Sequence, residues 1–256
     1  MDVVCLQQRK RYSMQYASLV TISMNSLAVI SDIHGNYPAL KSVLSKIDEL
    51  GIDDIICLGD VVGYYCQIND CIDELRSRNI HTLLGNHDYY MLGGTCCDSK
   101  TVRICIDYQK TIIRHDNYEW LKTLSPAYDN DRSSFRHGGW NDALEERVEV
   151  FDFSIVSSYN QLFYFSGHTH KQIIQIDEKS GKVFCNPGSV GQPRDDDPRA
   201  AFVVLLPDGR LETYRVEYDI DVIVNKMKEA NQGDWIWRGL YTGEKVGGNI
   251  YKESAI

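Results

Sequence analysis

Leu27-Ala28-Val29-Ile30-Ser31-Asp32-Ile33-His34-Gly35-Asn36 is a short apolar run that stops on a carboxylate. Such a run reads as a strand covered on both faces, delivering polar side chains at its carboxyl end. Residues 26–31 are that strand. Pro38 suits the first turn of a following helix, Leu40, Val43, Leu44 and Ile47 recur at helical spacing, and Gly51 stops it. The result is a βα unit. It recurs at Ile55-Ile56-Cys57-Leu58, which runs into Gly59-Asp60 and a helix over 69–78, with Cys71, Ile72 and Leu75 on one side. A third strand over 80–84 runs into Gly85-Asn86-His87-Asp88. Strands alternating with helices imply parallel pairing and right-handed crossovers.

Further along, one long helix is expected over 102–121, with Ile106, Ile112, Ile113 and Trp120 facing the core. The second half changes character. Short strands at 133–136, 162–165, 173–176, 183–185, 201–206 and 211–215 are joined by turns such as Lys179-Ser180-Gly181 and Pro207-Asp208-Gly209. The expected architecture is α/β: two packed mixed sheets flanked by helices, in four layers. A dispensable extension (1–23) precedes the main domain (24–218), and a helix over 220–230 with a glycine-rich tail from Gly239 forms the remainder (219–256).

Composition narrows the function. Hydrophobic content of 43% and charged content of 25% are ordinary for a globular protein. A net charge of -9 argues against a nucleic-acid coat, which neutralises phosphates with surplus Lys and Arg. The cysteines form no CxxC pair, so neither a zinc ribbon nor a redox motif is expected, and the location is read as cytoplasmic. No apolar run approaches the ~20 residues that span a bilayer. The basic residues Arg9, Lys10 and Arg11 are not followed by the apolar stretch of a signal peptide. The sequence carries no sign of oligomeric state.

Five of the seven histidines, His34, His87, His137, His168 and His170, follow an apolar strand beside Gly, Asp or Asn, and only His81 and His115 do not. In open α/β sheets ligands bind beyond the carboxyl ends of the strands, so all five can converge on one edge. Asp32 and His34 are two apart, as are His168 and His170. In an extended segment that spacing puts both side chains on one face. Imidazole and carboxylate without thiolate favour Mn, Fe, Zn or Ni. A bridging carboxylate would hold two such ions ~3.5–4 Å apart, the separation that suits phosphoryl chemistry. Each signal is weak alone, and their joint order carries the reading.

In that order the chain resembles the calcineurin-like metallophosphoesterase superfamily. The motifs are Asp32-Ile33-His34-Gly35-Asn36, Gly59-Asp60-Val61-Val62-Gly63, Gly85-Asn86-His87-Asp88, His137-Gly138 and Gly167-His168-Thr169-His170, within residues 27–218. The resemblance implies one metal on Asp32, His34, Asp60 and His170, and a second on Asp60, Asn86, His137 and His168, with Asp60 bridging. It implies His87 as proton donor or charge stabiliser, Asp88 orienting it, and Asn36 touching phosphoryl oxygens. Two divalent ions, Mn²⁺ foremost, would then acidify a bridging water for in-line attack, with His87 assisting the leaving group.

The segment Asn186-Pro187-Gly188-Ser189-Val190-Gly191-Gln192-Pro193-Arg194 looks like the small bacterial and archaeal phosphodiesterase branch. The protein phosphatase and dinucleoside tetraphosphatase branch has Asp-Arg-Gly after its second motif, where this chain has Gly63-Tyr64-Tyr65, so that branch's arginine clamp does not carry over. Arg136 replaces the apolar residue that often precedes the fourth-motif histidine. Arg194 is open to two readings: contact with a second phosphate or leaving group, or an ion pair with Asp195, Asp196 or Asp197. Tyr64, Tyr65, Tyr89 and Trp140 line a pocket or pack in the core. The expected substrate is a small phosphodiester, with a phosphomonoester, a phosphoprotein, or a non-catalytic scaffold as alternatives.

Overall fold

A computed structural model describes residues 25–245. The expected extension over 1–23 and the end of the tail, 246–256, lie outside the described residues. The first unit is β1 (Leu27–Ile30) and α1 (Tyr37–Glu49), whose Asn36 caps the helix by accepting from the Ala39 N–H at 3.3 Å. Leu40, Val43, Leu44 and Ile47 are buried, each contributing roughly 1.5–3 kcal/mol by leaving water. β2 (Asp54–Cys57), α2 (Ile68–Ser77) and β3 (His81–Thr82) complete the βαβαβ run. Then follow α3 (Asn86–Met91), α4 (Lys100–Lys110), α5 (His115–Leu121), β4 (Ala127–Asp129) and β5 (Ser133–Arg136). The remaining strands are β6 (Phe163–Ser166), β7 (Gln172–Ile176), β8 (Val183–Pro187), β9 (Ala200–Leu205) and β10 (Leu211–Val216). The chain continues through α6 (Ile220–Glu229) and α7 (Asp234–Trp237).

The strands form two mixed sheets, ordered β10-β9-β1-β2-β3 and β4-β5-β6-β8-β7. β1, β2 and β3 are parallel, as the crossovers require, and the β9–β10 hairpin adds antiparallel to β1. In the second sheet β5, β6 and β8 are parallel, with antiparallel β4 and β7 at its edges. The sheets share a core in which Val29, Ile56 and Val203 meet Phe135, Phe165 and Val183. Phe135 stacks on Phe165 with ring centroids 5.2 Å apart. The helices cover the other face of the first sheet through Leu40, Val43, Ile72 and Ile223. The second sheet's outer face is covered by turns between residues 138 and 161, where Phe151 stacks on Phe184 at 4.5 Å.

Two elements differ from expectation. The helix over 102–121 is two helices, broken at Thr111-Ile112-Ile113-Arg114. β-branched residues crowd the preceding helical turn, and Asn69 supplies partners at the break, donating to Ile112 O at 2.8 Å and accepting from Arg114 N at 3.0 Å. The third strand shrinks to two residues because Leu84 donates to Ser125 O, outside the sheet. The motif at 85–88 opens the short helix α3.

Candidate metal centre

The ligand candidates leave the carboxyl ends of β1, β2, β3, β5 and β6, which meet along one edge of the two packed sheets. Their convergence is not that of extended strands. Asp32, His34, Asp60, His168 and His170 have φ of 55, 54, 54, 63 and 62°, in the left-handed region. The expected same-face spacing is thus replaced by tight turns. Asp and His tolerate this conformation better than most residues, yet each instance still costs about 1–3 kcal/mol. Cross-strand hydrogen bonds hold the turns. Ile33 and His34 N–H both donate to Asp60 O at 2.9 Å, and Gly191 N–H donates to Asp32 O at 2.9 Å. Gly85 is required beside them, since a Cβ there would lie 2.1 Å from Asp60 Oδ1.

Two overlapping clusters result. In one, one ligand atom from each of Asp32, His34, Asp60 and His170 lies within 4.8 Å of the others. His34 Nε2 stands 3.2 Å from His170 Nε2 and 3.6 Å from Asp60 Oδ2, and His170 Nε2 stands 3.3 Å from Asp32 Oδ1. In the other, Asn86 Oδ1 lies 2.9 Å from His137 Nε2 and 3.1 Å from His168 Nδ1. His137 Nε2 is 3.5 Å from the same Asp60 Oδ2. One carboxylate oxygen therefore faces both clusters.

The imidazoles are oriented by the backbone. Nδ1 of His34, His137 and His170 bonds Val62 O, Leu58 O and Gln192 O at 2.9, 2.9 and 2.6 Å. A carbonyl only accepts, so each Nδ1 carries the proton and each Nε2 presents a lone pair to the cavity, as metal-ligating histidines do. The contacts His34 Nε2 to His170 Nε2 and His137 Nε2 to Asn86 Oδ1 then set acceptor against acceptor. Burial, followed by the charge of His87 and Arg194, lowers the proton affinity of His34. Burial, then His137 and Arg147, does the same at His168. At Asp60 burial, then Asp88 and Asp32, raises the carboxyl pKa well above its ordinary value. Buried lone pairs and carboxylates with so little positive charge among them are the environment that a divalent cation relieves. The donor set fits Mn, Fe, Zn or Ni.

Asn86 is aimed by residues that its own motif does not contain. Its Nδ2 donates to Tyr90 Oη at 3.2 Å, Tyr90 in turn donates to Glu145, and Oδ1 is left to face the cavity. Gln109, wholly buried on α4, accepts from Gly63 N–H at 2.8 Å and donates to Tyr65 O at 2.6 Å. Ser189 Oγ donates to Asp32 O at 2.7 Å. Only the polar character of Gln109 among apolar helix positions marks it in the sequence, and Glu145 carries no local signal.

His87 sits beside the cluster. Its ring centroid is 4.8 Å from those of His34 and Tyr64, and its backbone N–H donates to Asp60 Oδ1 at 2.8 Å. Its Nδ1 has no partner among the described residues and lies against Gly63, where a Cβ would approach to 2.2 Å. Asp88 does not orient that ring. Its carboxylate accepts from Gly85, Val62 and Val61 N–H at 2.9, 3.0 and 3.3 Å, tying α3 to the turn after Asp60. Asn36, expected at phosphoryl oxygens, is wholly buried and occupied as the α1 cap and as donor to Gly191 O at 2.8 Å and Tyr218 Oη at 3.1 Å. Arg194 pairs with none of the expected carboxylates. Asp195 pairs with Arg215 and Asp197 with Arg199, while Arg194 bonds the neutral Gln192 and Tyr64. Of the four aromatics read as lining a pocket or packing in the core, Tyr64 faces the centre, Tyr65 is wholly buried with its hydroxyl 3.0 Å from Gln192 Nε2, Trp140 packs on Phe151, and Tyr89 is exposed.

Comparison with known proteins agrees with this geometry. Residues 25–209 match the calcineurin-like phosphoesterase superfamily domain. The chain is 32% identical over 238 residues to an uncharacterized protein of Methanocaldococcus jannaschii, covering 85% of this chain and 98% of that one. It is 26% identical over 181 residues to the phosphodiesterase YfcE of Escherichia coli, covering 68% and 84% respectively. A metallophosphoesterase from Sphaerobacter thermophilus superposes with a TM-score of 0.72 at 28% identity, covering 86% of this chain and 99% of the other.

Proposed function

The chain belongs to the calcineurin-like phosphoesterase superfamily, and from that premise we propose that it hydrolyses a small phosphodiester with two divalent ions, Mn²⁺ foremost. One ion is assigned to Asp32, His34, Asp60 and His170, the other to Asp60, Asn86, His137 and His168. The observation that carries this reading is Asp60 Oδ2, 3.6 Å from His34 Nε2 and 3.5 Å from His137 Nε2, between two histidines whose lone pairs point at it. When bound, two such ions neutralise phosphoryl oxygens and acidify a shared water.

The protein's own groups do the rest. His34, His137 and His170 keep their Nδ1 protons on backbone carbonyls, which holds each ring in place. Burial first, then the charge of Arg194 and His137, keeps His87 neutral in the free protein, since its proton affinity is well below the ordinary value. Its N–H serves an oxygen of the bound phosphoryl group, and the negative charge of that group raises the ring's proton affinity so that it takes up a proton from water and, as the imidazolium, passes it to the leaving oxygen. The cysteines among the described residues all carry free thiols, which fits a reducing, cytoplasmic setting. No helix among the described residues is long and apolar enough to cross a membrane.

The test is metal analysis together with hydrolysis of bis-p-nitrophenyl phosphate by the Mn²⁺-loaded protein. Two ions per chain and turnover are expected. One ion at saturating Mn²⁺ with full activity would overturn the dinuclear assignment, and two ions without turnover on any phosphoester would make the chain a scaffold.

A further inference from the structure

Positive charge gathers at the mouth of this centre, although the chain has 27 Lys and Arg against 36 Asp and Glu. Arg194 is the inner member. Its Nε and one Nη2 contact reach Gln192 Oε1 at 3.0 and 2.5 Å, a second Nη2 contact reaches Tyr64 Oη at 3.0 Å, and the guanidinium lies 5.5 Å over the Tyr64 ring. Every partner is neutral. No carboxylate among the described residues pairs with it directly, Asp32 and Asp60 face it only at longer range, and Nη1 has no hydrogen-bond partner among the described residues. Tyr64 meets His34 edge-on at 4.7 Å and His87 at 4.8 Å, so the guanidinium stands one aromatic ring away from the reacting edge.

Lys245 lies within electrostatic reach of Arg194, Arg147 and Lys171, with Glu149 as the one acidic group among them. Lys171 directly follows the ligand candidate His170, and its amine is 3.6 Å from Glu149. Arg147 is exposed and close enough to His168 to oppose its protonation. Lys245 is brought in by the C-terminal segment, where Asp196 N–H donates to Gly243 O at 3.2 Å. Gly243 packs so tightly there that a Cβ would come within 2.6 Å of Asp197 N. Burial first, then the charge of Arg194, Arg147 and Lys171 against Glu149, lowers the Lys245 amine.

We propose that Arg194, backed by Arg147, Lys171 and Lys245, binds a second phosphate of the substrate, so that the preferred substrate is a small phosphodiester carrying a further phosphate on one ester arm. This rests on the phosphodiesterase reading above. A planar guanidinium with free donors is suited to two-point contact with a phosphate, and the flanking amines act as point charges. The Tyr64 ring, between Arg194 and His87, separates this second position from the reacting one.

Two p-nitrophenyl phosphodiesters test it, one with an ethyl second arm and one with a 2-phosphonoethyl arm, on the Mn²⁺-loaded wild-type chain, Arg194→Gln, Arg194→Lys and Lys245→Gln. The wild type should favour the phosphonoethyl diester in kcat/KM by about tenfold or more, the scale of one charge-assisted contact. The preference should nearly vanish in Arg194→Gln, persist in part in Arg194→Lys, and shrink in Lys245→Gln. Equal wild-type kcat/KM on the two diesters, or a preference that survives Arg194→Gln, overturns the proposal while leaving the hydrolase reading intact. Calorimetric titration with diethyl phosphate and with ethyl 2-phosphonoethyl phosphate separates the reverse case. If neither p-nitrophenyl diester is cleaved but the phosphonoethyl ligand binds more tightly in an Arg194-dependent way, the second phosphate position stands and the phosphodiesterase reading falls.

Discussion

Asp60 carries two tasks at once, because Oδ2 faces both imidazole pairs while Oδ1 accepts the His87 N–H at 2.8 Å. Asp60→Asn keeps the shape and that acceptor but removes the charge. It should abolish both metal sites, seen as metal content well below one ion per chain. It should also stabilise the metal-free protein by roughly 1–3 kcal/mol, because a buried unpaired carboxylate is replaced by a neutral amide. Denaturant titration of the metal-free pair checks the second effect. His87 should behave differently, as it stands beside the cluster without joining it. His87→Ala should retain metal while slowing turnover of an alkyl diester by roughly 10²–10⁴-fold. A p-nitrophenolate departs without a proton, so its release should suffer much less. Equal losses on both would assign His87 to phosphoryl charge alone.

At the scale of elements, the break between α4 and α5 shows how one side chain substitutes for helical hydrogen bonds. Asn69 bonds Ile112 O and Arg114 N and also receives the Asn117 amide at 3.1 Å. Asn69→Ala leaves these groups without partners and should cost about 1–3 kcal/mol. Metal content should be unaltered, because none of the groups that Asn69 bonds belongs to a ligand turn. Thermal unfolding of the metal-loaded protein, with metal analysis alongside, distinguishes this local loss from damage to the centre.

Across the whole molecule, metal and proton compete for the same buried groups. His34, His87, His168 and His170 all have proton affinities well below the ordinary 6.5. The unfolded chain therefore binds their protons first as pH falls below about 6.5, and the metal-free fold loses stability from there downward. Asp32, Asp60 and Asp88 are raised by burial, so the stability they contribute is present in acid and lost as pH rises through their folded values. The metal-free protein should show a melting temperature that peaks between these limits. Saturating Mn²⁺ should raise the melting temperature more at neutral pH than in acid, because at neutral pH the histidines carry no competing protons and the buried carboxylate charge costs the free protein, and a chelator should reverse the gain. A melting temperature indifferent to Mn²⁺ across pH 5–8 would contradict this linkage.

The order of βα units and the edge on which the histidines gather were legible along the chain, because apolar periodicity and residues at strand ends are local properties, whereas the division of ligand candidates between two ions came from the resemblance of the ordered motifs to a family. Gly51, Pro38 and the Lys179-Ser180-Gly181 turn also acted as their local chemistry dictates. Contacts distant in sequence decided the remainder. The left-handed turns at Asp32, His34, Asp60, His168 and His170 exist because neighbouring strands and the 189–191 segment bond their backbones. The α4/α5 break needs Asn69, and Asn86 is aimed through Tyr90 by Glu145, 59 positions beyond it in the chain. Asn36 and Asp88 sit in motifs that read as catalytic, yet packing gives their side chains to the backbone as a helix cap and a loop tie. Arg194 stands among three aspartates in the sequence, and folding turns Asp195 toward Arg215 and Asp197 toward Arg199, leaving the guanidinium at the centre's rim. Sequence proximity sets which partners are available, and only the packed arrangement of strands and turns sets which of them come within hydrogen-bonding distance.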